Sequence, residues 1–537
     1  MNIKSLDLLY VNNFIYNYVL KEKIIKVADN VSDEELLKKI VKLTSFASRN
    51  HPGYFSDGRL ENIIFEIGQR IQITGDDTGD IMLEVKSFIS CQKKNINLII
   101  ATEIYDTGGH TRVIDSFFKR DMDHAYILVL TNQSQEIPQW FIKGDDGYHR
   151  KIIQLNRNEG FIEKAATIRN IASYFDRVFL FTHPDDVIPV LAFSVANLPP
   201  ILIDNHAHFW FWLGSSIGDI IFSHIDYMDK IAVERRFAKL SFHLPIPINN
   251  PTNIDFKKEG IDKREAKQKI GVPADSYCLL SMGSEDKFYP TDTYNFFLTI
   301  NRIAENFSDV YIVIVGINKL ENYYRQFISP QTKGRIIFVK PVTDPMPYYR
   351  AADIFLESFP LSSLGSLVES VVYGNACPLF AYGKDRGILN SNNIFDPRLI
   401  KKAQSENDYL QQLCQLIKNP PSRFQIVKEI QDSIIKIENN FENNLRIMIS
   451  CINNVRHVPG KLPAGAFNPT VDDREVANLS LFRSLDDMFF FFLDKTICIY
   501  PCEQIKIISQ LKEKMIDVSY VSAYNVLKKK LSAFISD

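Results

Sequence analysis

The run from Tyr348 to Phe380, YYRAADIFLESFPLSSLGSLVESVVYGNACPLF, limits the possible folds more than any other stretch. Asp353 to Leu356 is an apolar run of strand length, and turn formers follow at Pro360, Ser362, Ser363 and Gly365. From Ser366 the apolar residues Leu367, Val368, Val371 and Val372 recur at helical spacing until Gly374, and Ala376 to Phe380 is a second buried strand. This is a strand–loop–helix–strand unit whose Ser/Gly loop opens onto a helix N-terminus. Free N–H groups and the helix dipole favour a phosphate there. Glu369, one turn into the helix, can accept hydrogen bonds from sugar hydroxyls. An ordinary capping loop has the same local pattern, so the rest of the chain decides.

At 537 residues the chain exceeds one core, and two or three domains are expected. Hydrophobic residues make up 45% of it, enough for large cores and against disorder. A formal net charge of −2 gives no basic field, which argues against nucleic acid as a partner. The seven cysteines are scattered and form no CxxC pair, so neither a zinc site nor a disulfide framework is indicated. The N-terminus has no long apolar segment with a cleavage site, and no apolar run reaches membrane-spanning length. A cytoplasmic protein is expected.

Residues 1–94 read as a helical N-terminal module, with Ser32 and Glu35 as a capping box before Leu36, Leu37, Ile40 and Leu43. At Ile96 the character changes. Short apolar runs at Ile96–Glu103, Tyr126–Leu130, Ile152–Leu155, Val178–Phe181 and Ile201–Ile203 alternate with helical stretches through residues 95–248. A second alternating set occupies 254–455, after the Pro/Asn-rich linker His243 to Asn253. Alternation of this kind means two doubly wound parallel sheets, α/β in class, with ligands at the carboxyl ends of the strands and a cleft between the two. Residues 470–537 read as a helical C-terminal appendage after the linker Val458–Pro469. Its Lys528–Lys530 run is a candidate contact with an anionic membrane face, although a solvated helix face is the plainer reading.

The second alternating set resembles the nucleotide-binding half of GT-B glycosyltransferases. The likeness is greatest to the group of the O-linked N-acetylglucosamine transferase and the bacterial cytoplasmic adhesin glycosyltransferases. A Lys-x-x-Pro follows that group's first strand; here it is Lys287-Phe288-Tyr289-Pro290. The stretch Tyr348 to Ser358 resembles the segment before its diphosphate loop, and Ser362–Ser366 with Glu369 resembles the loop and the acidic ribose contact. In the first set, Gly108-Gly109 resembles a glycine loop placed against the donor, and NHAHFWFWLG a His-containing acceptor loop. The likeness spans about residues 96 to 455. Two departures bear on chemistry. Leu361 stands where retaining members carry a second glutamate, which favours inversion, and Leu364-Gly365-Ser366 replaces the His-Thr-Thr of the O-linked enzyme.

The resemblance implies a donor site of Gly108, Gly109, Gly283, Lys287, Tyr348, Ser362, Ser363, Gly365, Ser366 and Glu369. Lys287 would stabilise charge on a leaving diphosphate together with the loop N–H groups. A base of near-neutral pKa is most simply a histidine, and His110 beside the Gly-Gly loop is favoured, with His208 as the alternative. His206, His208, Trp210 and His183 would form the acceptor side, with Trp212 a further aromatic wall. Asp204, His206 and His208 share a face if their strand continues, yet a metal is not expected. Asp121-Met122-Asp123 imitates a metal-binding DxD but reads as a solvated turn.

The expectation is a metal-independent, cofactor-free hexosyltransferase taking a nucleotide-diphosphate sugar, most simply a UDP-sugar, to a glycan or protein acceptor. A second reading is a non-catalytic GT-B-like protein that binds a sugar nucleotide or a partner glycosyltransferase. Its helical flanks would make that contact, or one with a second copy of the chain. An epimerase would need two carboxylates facing the sugar, and no such pair stands out.

Overall fold

The computed structural model describes residues 21–73, 79–106, 109–143, 149–206, 209–245, 262–291, 293–383, 402–453 and 455–465. It also describes positions 9, 12, 13, 16, 17, 467, 468, 470, 473, 474, 476 and 477. Most of the linker from His243, the Lys528–Lys530 run, Gly108 and His208 lie outside these residues.

The longer described helices before the first sheet are α1 (Asp33–Arg49), α2 (Gly58–Arg70) and α3 (Asp80–Ser90), after a short helical stretch at Glu22–Asn30. Ser32 accepts from the Glu35 N–H as the capping pattern requires, and Asp57 caps α2 through the Arg59 N–H. The first sheet comprises β1 (Asn95–Ala101), β2 (His124–Leu130), β3 (Arg150–Gln154), β4 (Arg177–Phe181), β5 (Ile201–Asp204), β6 (Ile220–Ser223) and β7 (Ser241–His243). All its pairings are parallel, in the order β3-β2-β1-β4-β5-β6-β7. The second sheet comprises β8 (Tyr277–Met282), β9 (Val310–Val315), β10 (Ile336–Val339), β11 (Ile354–Leu356) and β12 (Cys377–Leu379). It too is parallel, in the order β10-β9-β8-β11-β12.

Each sheet therefore reverses its winding once, between β1 and β4 in the first and between β8 and β11 in the second. At such a switch point the two neighbouring loops run off in opposite directions and leave a crevice outside the strand ends. Of the flanking helices in the first half, α4 (Gly109–Arg120) follows β1, α5 (Phe161–Ala172) precedes β4 and α6 (Asp226–Arg236) follows β6. In the second half they are α7 (Phe296–Asn306), the short α8 (Met346–Ala351) and α9 (Leu364–Gly374).

One face of the first sheet (Leu98, Ile100, Ile127, Val178) shares an apolar core with Leu37 and Ile40 of α1, Leu60 and Ile64 of α2, and Val85 of α3. Its other face (Ile99, Leu128, Phe179, Phe222) packs on Phe117 of α4 and on a late helix. That part of the chain is two helices, α10 (Glu406–Lys418) and α11 (Pro420–Ser450). At 31 residues, α11 is about 46 Å long, so it can reach both halves. Val427, Ile430 and Ile434 join the second core, whereas Phe441, Leu445 and Met448 join the first. Each such side chain contributes ~1.5–3 kcal/mol on burial, so the strut tethers the two halves strongly. No described helix is long and apolar enough to cross a membrane.

Candidate active site

In the second half, the switch point brings together the loops after β8 and β11, which are paired neighbours through Leu279↔Ile354 and Leu280↔Phe355. Gly283 ends β8, and a turn of 3-10 helix at Glu285–Phe288 carries Lys287. The turn is pinned because the Glu285 carboxylate accepts from the N–H groups of Asn318 (3.2 Å), Lys319 (3.0 Å) and Leu320 (2.8 Å). From there Lys287 Nζ donates to the Ser362 carbonyl at 2.7 Å, inside the serine loop. Burial pushes the ammonium down to about 8, opposed by the charge of Glu357. Glu357 itself is buried at the end of β11 and accepts from the Ala381 N–H at 2.8 Å.

The approach of lysine to loop depends on two glycines. A Cβ on Gly283 would lie 3.0 Å from Lys287 Cδ and 3.2 Å from Ser363 Cβ. Gly316, at φ +113°, would put a Cβ 1.8 Å from the Gly283 carbonyl oxygen. Beyond Ser363 the loop enters α9. By helix geometry the N–H groups of Leu364, Gly365 and Ser366 have no acceptor within the helix, and the Ser363 hydroxyl makes no capping bond. Space above Gly365 is open: a Cβ there meets nothing within 4 Å. One turn on, the Glu369 carboxylate accepts from the Tyr349 hydroxyl at 2.7 Å. Tyr348, the neighbouring aromatic, packs partly buried against the second core instead.

The first half gathers its histidines at its own switch point. His110 lies in the first turn of α4, His183 follows β4, His206 follows β5 and His224 follows β6. The His110 and His206 rings are 4.7 Å apart between centroids, and His110 and His183 6.4 Å. His110 Nε2 donates to the Phe181 carbonyl at 2.9 Å, and burial, with His206 adding to it, pushes this imidazole down to about 3. His183 stacks on Tyr105 and meets its hydroxyl at 2.8 Å through Nε2; burial lowers its pKa as well. Asp204, fully enclosed, holds two rings: His224 Nε2 at 2.7 Å and His206 Nδ1 at 3.3 Å. Burial opposes the Asp204 charge, but His224 and His206 outweigh it and hold the carboxyl below the usual range. The strand stops at Asp204, so a turn, not strand alternation, brings His206 back to it.

Arg112 joins the two halves. One turn into α4, its guanidinium donates to the carboxylate of Glu369 on α9. Phe209, three residues beyond His206, packs against the second core, so the His206 loop also borders the junction. Trp210 packs half-buried on the first core. Trp212 is no wall: it is buried, with the Arg236 guanidinium 4.1 Å over its ring. Asp121 is likewise not solvated, since it is buried against His124 at 2.8 Å and the Tyr126 hydroxyl, while Asp123 pairs with Arg446 at 2.8 Å. Among the described residues no group of three or more His, Cys, Asp or Glu side chains is arranged to hold a metal ion.

Arg112, Tyr349, Glu357 and His224 were not singled out by the sequence. Only Glu357, as the acidic residue closing a strand, carried a local signal.

Two doubly wound parallel sheets, joined at their switch points across one ion pair, define a GT-B architecture. No family model and no curated protein matches the chain. Among solved structures, it is similar to a glycosyltransferase from Rickettsia africae at 13% identity, over 68% of this chain and 100% of that one, with a TM-score of 0.48. A point mutant of the O-GlcNAc transferase from Thermobaculum terrenum is similar at 9% identity, over 83% of each chain, with a TM-score of 0.49. HepE from Anabaena, in complex with UDP and glucose, is similar at 12% identity over 66% of this chain and 99% of that one, with a TM-score of 0.49.

Proposed function

We propose that the protein is a glycosyltransferase that moves a hexose from a nucleotide-diphosphate donor, a UDP-sugar, to a hydroxyl of a glycan or protein acceptor, without a metal and with inversion. The observation that carries this reading is the 2.7 Å contact between Lys287 Nζ and the Ser362 carbonyl. It sets an ammonium beside the uncapped start of α9, where the open space above Gly365 would receive the diphosphate. Cation and helix N-terminus together would stabilise the negative charge that develops on the leaving group. Glu369 would take the ribose hydroxyls. The acceptor would enter from the histidine side, attack the anomeric carbon opposite the phosphate bond and lose its proton to that side. Opening and closing about the Arg112–Glu369 contact would admit substrate and exclude water.

Release of UDP from a panel of UDP-sugars, with simple glycans and peptides as acceptors, tests this reading. Turnover that collapses in Lys287→Ala supports it. Tight UDP binding with no turnover for any donor would instead favour a non-catalytic sugar-nucleotide-binding protein.

A further inference from the structure

We propose that the end of the first sheet opposite its crevice is a contact face for an anionic lipid surface. In a parallel sheet the residues that precede the strands all lie at one end, and the strand order fixes their sequence in space. In the order β2-β1-β4-β5-β6-β7, that row reads Met122, Lys94, Arg177, Leu198, Asp219 and Leu240. With neighbouring strands about 4.8 Å apart, it is roughly 24 Å long. The segment after α11 runs beneath its second half, and buried His457 pegs it there. The His457 N–H donates to the Leu198 carbonyl at 3.1 Å, and its own carbonyl accepts from the Asn197 N–H at 3.0 Å. Its ring nitrogens meet Asp219 and the Phe193 carbonyl, each at 2.7 Å.

With His457 turned in, its neighbours are turned out. Val455 is 41% exposed and Val458 63%, and Met122 at 58% and Leu240 at 43% continue the apolar tips along the row. Cations stand between them: Lys93 and Lys94 before β1, Arg177 at the start of β4, Lys239 before Leu240, and Arg456 between the two valines. Lys94 donates to the Met122 carbonyl, Arg177 to the Asn453 side-chain oxygen at 3.1 Å and Lys239 to the Val458 carbonyl at 2.6 Å.

The carboxylates on this edge are engaged. Asp219 meets His457 and, at 3.4 Å, Lys239; Asp123 accepts from Arg446 at 2.8 Å. Asp176 accepts from the Ile96 N–H at 3.1 Å, and Asp229 from the Ser241 hydroxyl at 2.7 Å. Charge at Lys93, Lys94, Arg177 and Arg456 is thus left for an anionic partner. Apolar tips set between such cations suit a bilayer surface, where the tips enter the acyl boundary and the cations meet lipid phosphates. A nucleic acid would use the cations and leave the valines in water, and a second copy of this face would bring cation against cation. Seated on lipid, the chain holds its crevice at the far end of seven-residue strands, roughly 23 Å away and open to solution.

Cosedimentation of the full chain with vesicles of phosphatidylcholine, alone or with about 30% phosphatidylserine, tests this face. The wild-type chain should bind the anionic vesicles at least about tenfold more tightly than the neutral ones, and added salt should release it. Two combined variants probe the row: Val455→Ser with Val458→Ser, and Lys93→Gln with Lys94→Gln and Arg456→Gln. Each should weaken vesicle binding about tenfold while Tm and UDP affinity hold. Phe424→Ser, at an exposed phenylalanine near the other end of α11, should bind as the wild type does. No binding to anionic vesicles, equal binding to neutral ones, or wild-type binding by either combined variant overturns the assignment. Should replacing Lys528, Lys529 and Lys530 by Gln abolish binding while the row variants keep it, the contact belongs to that run instead. None of these outcomes bears on sugar transfer, which UDP release tests.

Discussion

Arg112, one turn into α4, and Glu369, one turn into α9, form an ion pair between residues 257 positions apart in the chain. The carboxylate is shared, because its other oxygen accepts from the buried Tyr349 hydroxyl at 2.7 Å. Arg112 is about half exposed, so solvent screening holds the pair to roughly 1 kcal/mol or less. A ribose reaching Glu369 would have to compete with the arginine. Arg112→Ala is therefore expected to leave thermal stability nearly unchanged and to tighten UDP binding by up to about fivefold, ~1 kcal/mol. Glu369→Ala should weaken it about tenfold, ~1.4 kcal/mol. Calorimetric titration of both variants separates the roles, and weaker binding in Arg112→Ala would make the arginine a ligand rather than a competitor.

Lys287 sets an alkaline limit. Burial pushes its ammonium down to about 8, so the cation is present below that pH and is lost above it. The rate constant kcat/KM should fall on the alkaline side with an apparent pKa near 8, provided no other group titrates first. In the donor complex the limb should move upward, because a bound diphosphate favours the charged form. Lys287→Ala should cost kcat about 100-fold or more and erase the limb. A pH profile of the variant that keeps the alkaline limb would assign it to another group.

Both switch-point loops were legible because short apolar runs alternate with helical stripes, and their ends carry Gly, Ser and His rather than apolar residues. What stayed hidden was mostly non-local. β6 and β7 went unread although β5, β11 and β12, equally short, did not; β7 ends at His243, where the Pro/Asn-rich linker was read to begin. Tyr348 and Tyr349 sit in a six-residue helix, where spacing cannot choose which ring faces Glu369. His224 reaches Asp204 from the next strand over, and Arg112 reaches Glu369 from the other sheet. Neither pairing leaves any mark on the order of residues.

The Asp204–His224 pair should give the fold a pH signature. His224 has a raised pKa in the folded chain, so its contribution is full below the unfolded value of about 6.5 and is lost as pH rises through the folded value. Asp204 has a lowered pKa, so its contribution is present above about 3.9 and is lost as pH falls through the folded value. Removing one partner of a buried pair costs roughly 3–5 kcal/mol. His224→Gln should thus destabilise most between about pH 4 and pH 6.5, with a smaller deficit at high pH. Urea midpoints at acid and alkaline pH measure the gap, and an equal gap at both would mean that the pair is not charged.

Two glycines separate folding from binding. At Gly316, the positive φ of +113° and the Gly283 carbonyl 1.8 Å from a would-be Cβ leave no room for a side chain. Gly316→Ala must move the loop that carries Gly283, and a loss of roughly 2 kcal/mol or more is expected, read as a lower Tm. Gly365 has nothing within 4 Å of a would-be Cβ and lies in the first turn of α9. Gly365→Ala should therefore fold at least as well, since alanine favours a helix by up to ~1 kcal/mol over glycine. The new methyl would nevertheless stand in the space proposed for the diphosphate. UDP affinity in that variant should fall about tenfold while Tm holds or rises, ~1.4 kcal/mol in binding. Wild-type affinity in Gly365→Ala would remove the start of α9 as the seat of the phosphates, whatever the chain proves to transfer.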